Sequence, residues 1–244
     1  MNVALQVPSY EEGEDMVPTL DSILDQQVPE YVENLSLEVW VTLSPPDRDL
    51  CTTWQTALRQ AGFEPFEAPS GKLSARNAAH NSAVERGYDI ILTWDADAPA
   101  YHDEVLKAML DPFESGDADA VRGHPVSAWH LFGALENVAR RATRAVHGHM
   151  HGQLSGFTAE MWECAGEFDE SIDQTNIGEV WPEEEFDFAN RLRECGRLVH
   201  ATDAKVFNDS RRMRCRFERA FAFSGREVNP WCSDRGVETF EPRD

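Results

Sequence analysis

Lysine is almost missing from this sequence. Lys72, Lys107 and Lys205 are the only three in 244 residues. Also missing is any apolar run near the roughly 18 residues that a membrane helix requires, and no N-terminal stretch has the build of a signal peptide. Cysteine is sparse: Cys51, Cys164, Cys195, Cys215 and Cys232 make an odd number, and no two are closely spaced. That pattern argues against a disulfide framework and against a cysteine zinc site. Internal repeats and low-complexity linkers are absent. These absences predict one domain over residues 1-244, soluble and cytoplasmic.

What the sequence has in excess is acid. Asp and Glu number 44 against 22 Lys and Arg, a formal net charge of -22. Such a surface repels itself unless salt screens it, with a Debye length of roughly 3 Å at 1 M. Many carboxylates beside few lysines looks like the balance of a cytoplasmic protein from a salt-loving archaeon, with an acidic mesophilic protein as the alternative. The same charge excludes non-specific binding to nucleic acid. Hydrophobic residues make up 41%, enough for a sizeable core.

Val3, Leu5 and Val7 alternate with small or polar residues and predict a first strand; Leu37, Val39, Val41 and Leu43 predict a second. Between them Asp15 is placed to cap a helix with Val17, Leu20, Ile23 and Leu24 on its face and Pro18 in its first turn. A helix from Leu50 to Ala61 stops at Gly62, a short edge strand covers Phe63 to Phe66, and an alanine-rich helix follows, capped by Ser74 and closed by Gly87. Further on come helices Tyr101 to Phe113, Leu131 to Val146 and Glu183 to Cys195. Strands are expected at Ala120 to Val126, Leu198 to Val199 and Val206 to Phe207. This rhythm predicts an α/β domain, a mostly parallel sheet with helices on both faces. Ligands of such sheets bind outside the carboxyl ends of the strands, so Tyr10, Ser44 and Asp95 should converge.

The stretch Tyr88 to Pro99 centres the chain. Ile90, Ile91 and Leu92 begin it as a buried strand, and Asp95 and Asp97 end it on one side. Two carboxylates suit a dry core poorly and a divalent cation well, since Mg²⁺ and Mn²⁺ take one or two carboxylates plus substrate phosphates. A solvated acidic turn is the rival reading.

Four stretches together resemble the family 2 nucleotide-sugar glycosyltransferases of the GT-A fold. Val7-Pro8-Ser9-Tyr10-Glu11-Glu12 is similar to the family's opening proline-x-tyrosine-asparagine-glutamate, and Gly71-Lys72-Leu73-Ser74-Ala75-Arg76-Asn77 to its glycine-led alanine-arginine-asparagine. Trp94-Asp95-Ala96-Asp97 looks like its D-x-D, and Glu184 to Leu192, followed by Gly196, like its catalytic helix. Three departures stand out. Thr42-Leu43-Ser44 replaces the acid that often reads the nucleotide, Glu185 replaces an aspartate, and no histidine precedes Arg211 and Arg212.

The resemblance implies transfer of a sugar from a nucleoside-diphosphate-sugar to an acceptor hydroxyl or phosphate, with inversion. Residues 1-100 would bind the donor and 101-212 the acceptor. Asp97 would hold Mg²⁺ or Mn²⁺, while Asp95 would meet the ribose or a metal-bound water. Lys72, Arg76 and Arg212 would add positive charge, with surface solvation or a structural ion pair as the alternatives. Glu185, near a helix N-terminus where the dipole favours its ionised form, is the expected general base. Glu184 and Asp187 share that neighbourhood, and Phe188 and Leu192 read as core. In the loop after the first strand, beyond Pro8, Tyr10 would pack on the nucleobase and Glu12 would accept from a ribose hydroxyl. Trp181 is placed either to pack on a sugar or to staple the helix.

Two features stand apart. His147, His149 and His151 alternate as a zinc-binding strand would, but glycines interleave them and a fourth ligand is lacking, so a loop near the acceptor is the better reading. Residues 213-244 continue a basic stretch in which Met213, Phe217, Ala220 and Phe221 form an apolar stripe if helical. That stripe could lie weakly on a membrane surface beside a lipid-phosphate acceptor. Alternatively it packs on the domain while its arginines hold the donor diphosphate. Glycan and small-molecule acceptors also fit. A non-catalytic nucleotide-sugar-binding protein on the same fold stays open, as does a nucleotidyltransferase, although Tyr10-Glu11-Glu12 would repel phosphate where the latter wants glycines.

Overall fold

Alternation sorts β1 (Asn2–Ser9) between two faces of a sheet. Val3, Leu5 and Val7 enter one apolar cluster and Ala4 enters another, on the opposite side. The computed structural model describes residues 1–9, 16–42, 55–69, 71–127, 153–172 and 183–208. Among these, α1 (Val17–Leu24), β2 (Asn34–Thr42), β3 (Glu64–Ala68), α2 (Lys72–Glu85), β4 (Ile90–Trp94) and α3 (Val105–Glu114) follow β1. Then come β5 (Ala120–Ser127), β6 (Leu154–Thr158), α4 (Ala159–Ala165), α5 (Glu183–Cys195) and β7 (Leu198–Asn208).

The described strands form one sheet in the order β3-β2-β1-β4-β6-β5-β7. Only β6 runs against its neighbours, antiparallel to β4 and β5. The other pairings are parallel. The expected α/β architecture with a mostly parallel sheet is therefore present. One face carries α1 and α3, whose Leu20, Ile23, Leu106 and Leu110 pack with Leu5, Leu92 and Trp94. Each fully buried leucine there contributes roughly 1.5–3 kcal/mol by leaving water. The other face carries α2, α4 and α5, whose Leu73, Trp162, Phe188 and Leu192 pack with Ile91, Phe157 and Ala120. Phe188 and Leu192 are core, as their spacing implies.

Several expectations are corrected. Strand β6 and helix α4 were not foreseen, because Leu-Ser-Gly-Phe-Thr is too short and mixed to show a period. Gly156 is what lets β6 sit there: a Cβ would lie 2.2 Å from Leu92 Cδ2 in a packed core. The two late strands are one, β7, which pairs with β5 across an irregularity between Arg122 and His124. Ser74 does not cap α2; that helix opens at Lys72 behind Gly71, whose φ of 106° disfavours any side chain. On α1, Val17 and Leu24 face solvent, while Thr19 joins Leu20 and Ile23 inside.

The cysteine expectation is also corrected. Cys164 and Cys195 form a disulfide across 31 residues of sequence. Spacing along the chain could not show this, because the packing of α4 against α5 is what brings the two ends together. A second tie lies beside it: Arg191 holds Asp187 on its own helix at 3.0 Å and donates to the carbonyls of Ala165 and Gly166 at the end of α4. Reduction is expected to lower stability by about 3 to 4 kcal/mol, the loop-closure value for that separation. Urea melts with and without a phosphine reductant measure this, and coincident midpoints would mean the pair does not form.

Asp15, Tyr10, Glu12, Ser44, Trp181, Arg212, the His147 to His151 stretch, the helix expected from Leu131 and the basic tail lie outside the described residues. No helix among the described residues is long and apolar enough to cross a membrane.

Candidate active site

The end of β4 is built to present two carboxylates. Asp95 N–H donates to Gln153 O at 2.9 Å, and Ala98 N–H closes a turn onto Asp95 O at 3.1 Å. Beneath the turn the buried Trp94 indole donates to Ala98 O at 2.6 Å, so a core residue anchors the loop that carries Asp95 and Asp97. Asp95 continues the side of the strand that bears Ile91 and Thr93, which is the face covered by α2 and α5.

Helix α2 brings Lys72, Arg76 and His80 along one stripe at four-residue spacing. Arg76 is buried, with its guanidinium 5.5 Å above the Phe168 ring. Asn77 holds that ring in place by pairing with both backbone groups of Phe168, at 2.9 and 3.0 Å. Ser74 and Asn77 also hold Glu170, at 2.7 and 3.1 Å, so the turn after α4 is clamped onto α2. Helix α5 points its first turn at the same place. There Glu184 takes a 2.7 Å bond from Lys72 Nζ, and Glu185 lies 3.9 Å from Arg76.

The charges feel one another. Burial and then the like charge of Asp97 push the Asp95 carboxyl up to about 7; Arg76 and Lys72 pull it down and Glu185 pushes it further up. Burial alone would raise Glu184, but Lys72, by charge and hydrogen bond, with Arg76 behind it, holds that carboxyl below its usual value. Four carboxylates thus share the site with two cations. A site with that imbalance repels a bare diphosphate and suits a divalent cation. No group of three or more metal-ligating side chains forms among the described residues, so Asp95 and Asp97 could supply only part of a coordination shell. That suits Mg²⁺ or Mn²⁺, which keep phosphate and water ligands.

Of the expected site residues, Lys72, Arg76, Asp95, Asp97 and Glu185 converge. Lys72 is engaged by Glu184. Pro8 stands at the end of β1, in register with Trp40. A cavity of ≈ 20 Å³ lies behind the cluster, lined by Arg76, His80, Thr93, Ser155 and Glu185 with three phenylalanines. His80, Thr93 and Ser155 were not anticipated. The four-residue step from Arg76 marks His80, whereas Ser155 belongs to the unforeseen strand.

No protein-family model matches the sequence, and no curated protein matches it. Solved structures do. A mannosyltransferase, PcManGT, from Pyrobaculum calidifontis in complex with GDP-Man and Mn2+ superposes with a TM-score of 0.64 at 20% identity, over 94% of this chain and 66% of that one. The fold is that of the GT-A glycosyltransferases. S. aureus TarS 1-349 matches at 0.59 and 14% identity, over 91% of this chain and 65% of its own. The TarS structure in complex with UDP-GlcNAc matches at 0.60 and 14%, over 86% and 58%. The chain thus spans about two thirds of the length of the first of these GT-A proteins.

Proposed function

We propose that this chain is a nucleotide-sugar glycosyltransferase of the family 2 type, which moves a sugar from a nucleoside-diphosphate-sugar to an acceptor hydroxyl or phosphate with inversion. The observation that carries this reading is the meeting of Asp95 and Asp97 with Arg76 and Glu185 at the carboxyl end of β4. Its fold likeness to a mannosyltransferase holding GDP-Man and Mn2+ and to TarS holding UDP-GlcNAc supports the same class.

Asp95 and Asp97 would hold Mg²⁺ or Mn²⁺, which when bound neutralises charge on the departing diphosphate. The rest falls to the chain. Arg76, buried and seated on Phe168, keeps a fixed positive charge beside the acids. Lys72 is occupied by Glu184 and shapes the rim rather than reaching outward. Glu185 is the base: it takes the proton of the acceptor hydroxyl as the acceptor oxygen attacks the anomeric carbon opposite the leaving phosphate. Residues 1-100 serve the donor and 101-212 the acceptor, which is a glycan, a lipid-phosphate or a small molecule. Pro8, Tyr10, Glu12, Ser44 and Arg212 complete the donor side, and the working medium is cytoplasmic and rich in salt.

Calorimetry in molar KCl tests the donor claim. GDP-mannose or UDP-GlcNAc is expected to bind in Mn²⁺ and to weaken by at least about tenfold in EDTA, a loss of roughly 1.4 kcal/mol. Equal affinity in both, or no sugar nucleotide binding to the folded chain, contradicts it.

A further inference from the structure

A polar seam crosses the sheet one step below Asp95. Glu38 stands beside Gln6, Gln6 beside Thr93, Thr93 beside Ser155 and Ser155 beside Arg122. Residues in register share a face, and all five are buried. Apolar residues would fill this layer more cheaply, so each polar group there needs a partner.

His80 lies over this seam, and its hydrogen bonds fix its state. Gln6 Nε2 donates to Glu38 Oε2 at 3.0 Å and to Ala79 O at 2.9 Å, and neither of those atoms can donate in return. The Gln6 carbonyl oxygen is therefore the atom that meets His80 Nδ1 at 2.8 Å, and Nδ1 carries the proton. Burial, and then the charge of Arg76, hold the ring neutral, with its pKa lowered to about 3. The other nitrogen, Nε2, is then a proton acceptor. Trp40, Phe157 and Trp162 pack against the ring in T-shaped contacts at 5.7, 5.2 and 4.9 Å.

The cavity that His80 lines has room for one water and offers it polar partners in Thr93, Ser155, Arg76 and Glu185. Among the described residues the charge partner of Glu185 is Arg76, which stands 3.9 Å away, beyond hydrogen-bond reach.

We propose that this cavity holds one internal water that donates to His80 Nε2 and to the Glu185 carboxylate, which makes His80 a positioning residue for Glu185. The Ser155 and Thr93 hydroxyls and the Arg76 guanidinium are the donors available to the water's own lone pairs. The role, though not the water, rests on the reading of Glu185 as base.

Two measurements test it on the full chain. A crystal structure that resolves ordered solvent is expected to show a water bonded to His80 Nε2 and Glu185; an empty cavity overturns the proposal. His80→Phe keeps an aromatic ring and removes the acceptor, whereas His80→Gln restores an acceptor. The first is expected to lower kcat about tenfold with donor KM unchanged, and the second to recover most of that loss. Parent-like kcat in His80→Phe overturns the positioning role. Should His80→Phe not fold, Thr93→Val and Ser155→Ala remove the water's partners with little change of shape, and unchanged kcat in that pair overturns the role equally. Full turnover in Glu185→Gln would remove the base reading alone, and the crystallographic result would still decide the water.

Discussion

Asp97→Ala is expected to reduce sugar-nucleotide turnover by about a hundred- to a thousandfold, the usual loss when one preorganised charge partner of a transition state is removed. Asp95 and Asp97 stand on a turn locked from below by Trp94, so the substitution alters charge at the site and leaves the anchor of the loop in place. The fold should therefore survive. Asp95 also loses the like charge that helps hold its proton, but the cation loses one of the two carboxylates offered to it. The measurement is nucleoside diphosphate release at saturating donor beside a thermal melt. Parent-like turnover in a well-folded variant would remove Asp97 from the mechanism.

Glu185→Gln is expected to keep donor affinity within about threefold and to lose roughly a hundred- to ten-thousandfold in transfer, the span attributed to a positioned general base. The amide preserves size and cannot take a proton. The neighbouring acid provides the control. Glu184 is buried against Lys72 at 2.7 Å, so Glu184→Gln releases a cation and should lower stability more than chemistry. Calorimetry for the donor and single-turnover kinetics for transfer separate the two residues. If Glu184→Gln proves inactive and Glu185→Gln does not, the roles are exchanged.

The face to which each strand points was legible in the alternation of Val3, Leu5 and Val7, because a core on one side demands it. That Lys72, Arg76, Asp95, Asp97 and Glu185 belong together was implied by the order of the motifs that resemble the family, whereas the strand-end rule grouped Tyr10, Ser44 and Asp95, of which only Asp95 is among the described residues. What surrounds them was not. Helix α2 starts two residues before Ser74, since Gly71 turns the chain more easily than a serine cap could. The Cys164–Cys195 bond and the clamp of Asn77 on Phe168 join residues far apart in sequence through helix packing, which spacing cannot report. The polar seam was hidden because a strand such as Leu5-Gln6-Val7 reads as ordinary polar-out alternation, although Gln6 is fully buried under α2.

One measurement bears most directly on the central claim: release of nucleoside diphosphate by the purified chain in molar KCl, across a panel of GDP- and UDP-sugars, with Mn²⁺ and then with EDTA. The site as described predicts release from at least one donor in Mn²⁺, slow with water as acceptor, and none in EDTA or in Asp97→Ala. No release from any donor by the folded protein, or release that continues undiminished in EDTA, would contradict it.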